Sequence, residues 1–319
     1  MSLHSDFLAP VKIRTHFALT PILGIMVAAT TWGIIWYPYR FMEASGLAAP
    51  VATFCSYVIA VLLMSIVFRN VWPQFLRFPT ALFLIGLSAG ITNVAYLVAI
   101  MEAEVVRVVL LFYMAPLWTV MFARVLLNER ISPLGTFTVL LAMAGAVVML
   151  WRLELGAPMP KNAYEWLGLL GGLTFALSNV LVRRETRATP EAKTLAGAIG
   201  VAVVALPVSF LLIKTPAATW PALVMSHFWL IAIIGVVLMS SGLAMQFGLT
   251  KMPANRAAVI LLFELIVAAI AAHYLANESS RIQDWIGGFM IISAGLLAAY
   301  CEPQAVKPAS VKPVEAMVN

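Results

Sequence analysis

One carboxylate in this chain sits where carboxylates are expensive. Glu264 lies near the middle of the stretch from Met252 to Glu278, MPANRAAVILLFELIVAAIAAHYLANE, which is otherwise almost wholly apolar. A helix starting at Pro253 and rising about 1.5 Å per residue carries Glu264 roughly 16 Å along, near the midplane of a hydrocarbon core about 30 Å thick. An ionisable group at that depth costs on the order of several kcal/mol unless it faces protein or water, so its default reading is functional. The chemistry open to it is to take up and release a proton, or to pair with a cationic group on a substrate. The competing reading is a structural hydrogen-bonding group.

Other polar and aromatic side chains stand in similar apolar runs. Asn93 and Tyr96 share a helical face with Gly86 and Gly90, Asn179 shares one with Gly168, Gly172 and Phe175, and Gln246 follows Gly235 and Gly242. Small residues let helices approach closely, and amides on such faces serve as interhelical hydrogen-bonding groups as readily as they contact a substrate. Arg107 and Trp118 share a face with Met114 and Met121, and Tyr113 lies on the neighbouring one. Arg107 also has Glu102 and Glu104 beside it as pairing partners. Trp32 belongs to a group with Trp36, Tyr37 and Tyr39 at the outer end of the first apolar run, where an interfacial aromatic belt is the alternative use. The candidate substrate-binding or coupling residues are therefore Glu264, Asn93, Tyr96, Arg107, Tyr113, Trp118, Asn179, Gln246 and Trp32.

Enzymatic chemistry is poorly served. Gly86-Leu87-Ser88-Ala89-Gly90 has the letters of a nucleophile elbow, but that motif needs a strand-to-helix turn, and here it lies inside an apolar helix. Of His4, His16, His227 and His273, only His273 falls within an expected helix, near its outer end. Asp6 and Asp284 are the only aspartates, too few for a Mg²⁺ cluster. Cys55 and Cys301 stand in separate helices without C-x-x-C spacing. No catalytic group, metal or cofactor is expected.

The elements that must hold these residues are membrane spans. Hydrophobic residues make up 62% of the 319, charged residues 11%, and mean hydropathy is +0.96. A soluble domain carries about a quarter charged residues and must keep most of its exterior wet, so a bilayer is the solvent here. Apolar windows of about 20 residues give ten candidate helices, at 18–37, 49–68, 79–101, 105–126, 133–151, 164–183, 194–213, 226–248, 253–275 and 283–300. Residues 1–17 precede the first helix as a cytoplasmic segment with no signal-peptide cleavage site after it. The linker 152–163 is expected outside, and the Pro-containing tail 301–319 is expected to be disordered and cytoplasmic.

The chain also repeats. Arg107 and Arg256 are 149 positions apart, and so are the Asn-Glu pairs ending at Glu129 and Glu278. That divides the spans into five-helix halves, 18–151 and 164–300. With the N-terminus cytoplasmic, fourteen Lys and Arg residues fall inside and six outside, which puts both termini in the cytoplasm. The net charge of +6 is mostly this topology signal, so nucleic acid is not an expected partner. Five helices per half force the second copy to enter upside down, the inverted-repeat arrangement of many secondary transporters. Recurrence of Glu129 and Glu278 in both halves suits a helix-end role. Glu264 aligns with Ala115, so the shared fold does not require it. Arg256, near its helix start, can snorkel to the interface.

Two halves whose fourth helices close on Glu-containing turns, LLNERISP from Leu126 and YLANESSR from Tyr274, resemble the EamA family of the drug/metabolite transporter superfamily. The segment LLFYMAPLWTVMFARVLLNERIS, with Pro116 inside the helix and Glu129 just after it, is similar to that family's most recognisable stretch, and the resemblance covers residues 18–300. Leu265 stands where the second half would repeat Pro116, so a proline kink is expected only in the first half. The resemblance implies export or exchange of small metabolites such as amino acids through a cavity bounded by helices 1, 3, 4, 6, 8 and 9. An exporter of lipophilic cations is the second possibility; an intramembrane enzyme or a receptor is a further one. It implies a bacterial inner-membrane protein with a small-molecule substrate and the lipid bilayer as partners, and protons as a candidate coupling ion. Oligomeric state stays open.

Overall fold

The computed structural model describes residues 19–103, 105–151, 159–212, 216–275 and 281–300. The segment 1–17, the tail 301–319, linker residues 152–158, Glu104, Glu278 and Cys301 lie outside the described residues. Within them the regular elements are helices: α1 (Leu19–Ala44), α2 (Ala49–Val67), α3 (Trp72–Arg77), α4 (Pro79–Glu102), α5 (Val105–Phe112), α6 (Ala115–Leu126), α7 (Pro133–Leu150), α8 (Ala163–Arg184), α9 (Pro190–Leu212), α10 (Trp220–Ser226), α11 (Phe228–Lys251), α12 (Ala254–Leu261), α13 (Phe263–Leu275) and α14 (Ile282–Tyr300). Among the described residues nine helical stretches are long and apolar enough to cross a membrane, and Ile282–Ala298 is a shorter apolar helix.

Local sequence sets the helix ends. Prolines open α2, α4, α6 and α7 in the first turn, where a missing N–H leaves no bond unmade. Ser132 and Asn162 cap α7 and α8 by accepting from Gly135 N–H at 3.0 Å and Glu165 N–H at 2.9 Å. α1 runs seven residues past the expected end at 37, through Pro38 to Ala44.

The fourth span is broken at Tyr113 and Met114, just before Pro116, as a mid-span proline requires. The ninth is also broken, at Leu262, which lies the same 149 positions beyond Tyr113. This corrects the expectation that only the proline-containing half would bend. Leu262 N–H turns back to Val259 C=O at 3.2 Å and Leu265 N–H to Leu262 C=O at 3.1 Å, a one-turn tightening of the helix. Leu262 and Leu265 are buried in one cluster with Tyr113, Val259 and Ile291, so packing against the first half holds the bend without a proline.

Helix neighbours come in matched pairs. α4 packs on α8 and α9 as α11 packs on α1 and α2, α6 lies on α8 as α13 lies on α1, and α7 pairs with α14. The closest approach is between α4 and α9: a Cβ on Gly200 would collide with Gly86 C=O, so the two backbones touch.

Polar clamps tie the end of the bundle where α6 and α8 finish and α9 and α12 begin. Asn128 takes a left-handed φ of 55°, which lets the chain turn after α6 so that the Glu129 carboxylate reaches Ala254 N–H at 3.3 Å and Arg183 at 3.5 Å. Glu129 thus holds the start of α12 against the end of α8. Lys193, fully buried at the start of α9, donates from Nζ to Val182 C=O at 2.9 Å. Glu185 accepts from Arg187 and from the N–H groups of Arg187 and Ala188; the Arg187 guanidinium foremost pulls its carboxyl down to about 2.

Candidate substrate site

The two helix breaks converge on Glu264. It is the second residue of α13, so its carboxyl stands in the first turn after the break in the ninth span. Tyr113, at the matching break between α5 and α6, has its phenol within electrostatic reach of the Glu264 carboxyl. Tyr96 of α4 lies within electrostatic reach of the same group. Gly33 of α1 faces the break too: a Cβ there would come within 2.8 Å of Val267 Cβ and 2.9 Å of Glu264 C=O, so α1 is pressed against the start of α13.

A ring cluster adjoins the carboxyl. Phe112 is the hub, with ring centroids 4.7 Å from Tyr96, 5.6 Å from Tyr113 and 5.5 Å from Phe175. Such offset and edge-on contacts fix ring orientation and present π faces suited to a cation or a flat apolar group. Phe112 comes so close to α8 that a Cβ on Gly172 would collide with its carbonyl. Phe112 and Phe175 were not among the residues singled out from sequence, although Phe175 shares a face with Gly168 and Gly172, and Phe112 precedes Tyr113.

The other expected residues distribute around this centre. Asn179 is buried on α8, one turn beyond Phe175. Asn93 donates to Ala89 C=O of its own helix at 3.2 Å. Trp118 Nε1 and Gln246 Oε1 are enclosed without a hydrogen-bond partner among the described residues. Trp32 is partly buried against the cluster that holds Met42, Tyr57 and Leu238.

Arg107 is held elsewhere. It is 5% exposed and forms a two-pronged ion pair with Glu165 at 2.8 and 2.9 Å, and it also donates to Met159 C=O at 2.7 Å. Its neighbour in sequence, Glu102, is exposed at the end of α4. Glu165, the partner that sequence reading passed over, is marked by Asn162 three residues before it at a helix start. Among the described residues no group of three or more His, Cys, Asp and Glu is arranged to hold a metal ion.

Nine helices among the described residues are long and apolar enough to cross a membrane, and two spans break beside one carboxyl and two tyrosines, the build of a multi-pass membrane protein. A sequence model of the EamA-like transporter family matches residues 19–151 and 162–300, and the chain belongs to that family. An uncharacterized transporter of Archaeoglobus fulgidus is 26% identical over 222 residues, 69% of this chain and 76% of that protein. A solved crystal structure shares the fold with a TM-score of 0.72 at 17% identity, covering 91% of this chain and 99% of the other.

Proposed function

We propose that the protein is a secondary transporter that exports or exchanges small metabolites such as amino acids, moving them by alternating access past Glu264. The observation that carries this reading is the Glu264 carboxyl beside Tyr113, where the breaks in two spans pack together. A discontinuous helix at a central ionisable group is how many secondary transporters build a substrate or ion site. The protein is then no enzyme: its Glu264 binds an amino group or a proton and releases it on the other side.

In this reading the chain comprises ten membrane helices in two inverted five-helix repeats, residues 18–151 and 164–300. Support comes from the 149-residue register of the two breaks and from helix neighbours that match when the halves are exchanged. The end tied by the polar clamps faces the cytoplasm of a bacterium, placing both termini there and the linker 152–163 outside. A second reading, export of lipophilic cations, draws support from the rings of Tyr96, Phe112, Tyr113 and Phe175 beside the carboxyl.

Purified protein in liposomes, offered radiolabelled amino acids and cationic dyes with and without a pH gradient, tests the proposal. Saturable flux of one class above empty liposomes is expected. Flux of neither class, with the protein inserted and folded, would contradict it.

A further inference from the structure

A short helix stands where two spans meet the membrane surface, apart from the Glu264 site. α3 (Trp72–Arg77) follows a 3₁₀ turn at Arg69–Val71 and lies between the end of α2 at Val67 and the start of α4 at Pro79. Both neighbours are long and apolar enough to cross a bilayer, so α3 is held at the boundary between hydrocarbon and headgroups. Its inner face is fixed to the protein. Val71, Phe75 and Phe78 pack on Ala188, Ala192 and Leu195 around the start of α9. Gln74 donates from Nε2 to Thr189 Oγ1 at 3.2 Å and accepts from Thr189 N–H at 2.9 Å. The Phe78 ring has the guanidiniums of Arg77 and Arg187 at 5.4 and 4.8 Å.

The outer face is bare: Leu76 is 88% exposed and Trp72 46%. The helical period sets these two side by side, with exposed Arg69 and Arg77 along one flank. An apolar edge beside a basic flank, at the depth of a bilayer interface, is the build of a helix lying in the headgroup layer. A second copy of the turn lacks that flank. Trp220-Pro221 repeats Trp72-Pro73 at 148 positions, within one of the 149-residue register, and α10 again follows a 3₁₀ turn. α10 carries no arginine, and its Trp220 ring packs on Phe210 at 4.9 Å. The repeated turn thus requires neither the arginines nor the bare tryptophan of α3.

We propose that α3 binds anionic phospholipid of the adjoining leaflet, with Trp72 and Leu76 entering the acyl boundary and Arg69 and Arg77 drawing the headgroup phosphates. Attraction of one basic side chain to an anionic leaflet is worth about fivefold in affinity. The site is independent of what the protein carries.

The test uses full-length protein, with Cys55 and Cys301 replaced, in nanodiscs of mixed phosphatidylcholine and phosphatidylglycerol. A fluorophore on Leu76→Cys is expected to be quenched by lipids carrying a nitroxide high on the acyl chain and shielded from aqueous iodide. Quenching by iodide alone, or by neither, would overturn the proposal, since position 76 would then face water or be covered by protein. At equal mole fraction, nitroxide on phosphatidylglycerol is expected to quench more than nitroxide on phosphatidylcholine. That preference is expected to fall at least about fivefold in Arg69→Gln/Arg77→Gln and to persist in Arg69→Lys/Arg77→Lys. Equal quenching by the two lipids, a wild-type preference in the glutamine variant, or its equal loss in the lysine variant would each overturn the proposal. Should the arginine variants fail to insert, salt decides: the preference is expected to vanish between about 0.1 and 1 M, and a preference unchanged by salt would contradict it.

Discussion

Glu264 and Arg107 are both charged groups in apolar helices, and their surroundings separate them. The Arg107 guanidinium is held by both oxygens of Glu165 and by a backbone carbonyl, which suits a rigid strut between α5 and the start of α8. Glu264 lies instead within electrostatic reach of two neutral phenols, those of Tyr113 and Tyr96. Replacing the carboxylate removes both charge-assisted hydrogen bonds to Arg107, so Glu165→Gln is expected to destabilise the protein by about 1.5–3 kcal/mol. Thermal unfolding in detergent measures this, and a loss under about 1 kcal/mol would show that Arg107 finds an equal partner elsewhere. The difference between the two residues was only half legible in the sequence. A lone glutamate in an apolar run announces itself, whereas Glu165 stands 58 positions from Arg107 and is brought to it by the packing of α5 on α8. Ring contacts around Phe112 were hidden for the same reason: Phe residues are unremarkable in a membrane helix until the fold brings them together.

At the scale of elements, span limits followed closely from apolar length, because only a helix satisfies every backbone group in lipid. The break in the ninth span did not. No residue at Leu262 forces a bend; its cause is the cluster around Tyr113 and Ile291, which no local pattern records. Glycine faces were readable in part. Gly86 and Gly90 do mark a close contact, but the contact is with α9, while Tyr96 on the same helix reaches Phe112. Gly200→Val places a side chain into the Gly86 carbonyl and is expected to cost about 3 kcal/mol, near the upper range for overpacking. Gly295, with nothing within 4 Å of its would-be Cβ, is the control, and Gly295→Val is expected to change stability by about 0.5 kcal/mol or less. Equal yields of folded protein from both variants would mean that α4 and α9 do not meet as described.

For the whole molecule, the proposed inverted repeat makes the two halves present equivalent ends to opposite sides of the membrane. With Cys55 and Cys301 replaced, Arg130→Cys is expected to react with an impermeant thiol reagent only from the cytoplasmic side, and Arg281→Cys only from the other. Reaction of both from one side would contradict the topology. The central claim is that Glu264 is where solute or proton is held during the cycle, and the most direct measurement is transport by purified Glu264→Gln protein in liposomes across a range of pH. Glutamine is nearly the same shape but cannot ionise, so the variant is expected to fold and insert as wild type does. Its flux is expected to fall at least about tenfold, as loss of one charge-assisted hydrogen bond allows, or to lose its dependence on pH. Wild-type flux with an unchanged pH profile would make Glu264 a structural group and contradict the claim.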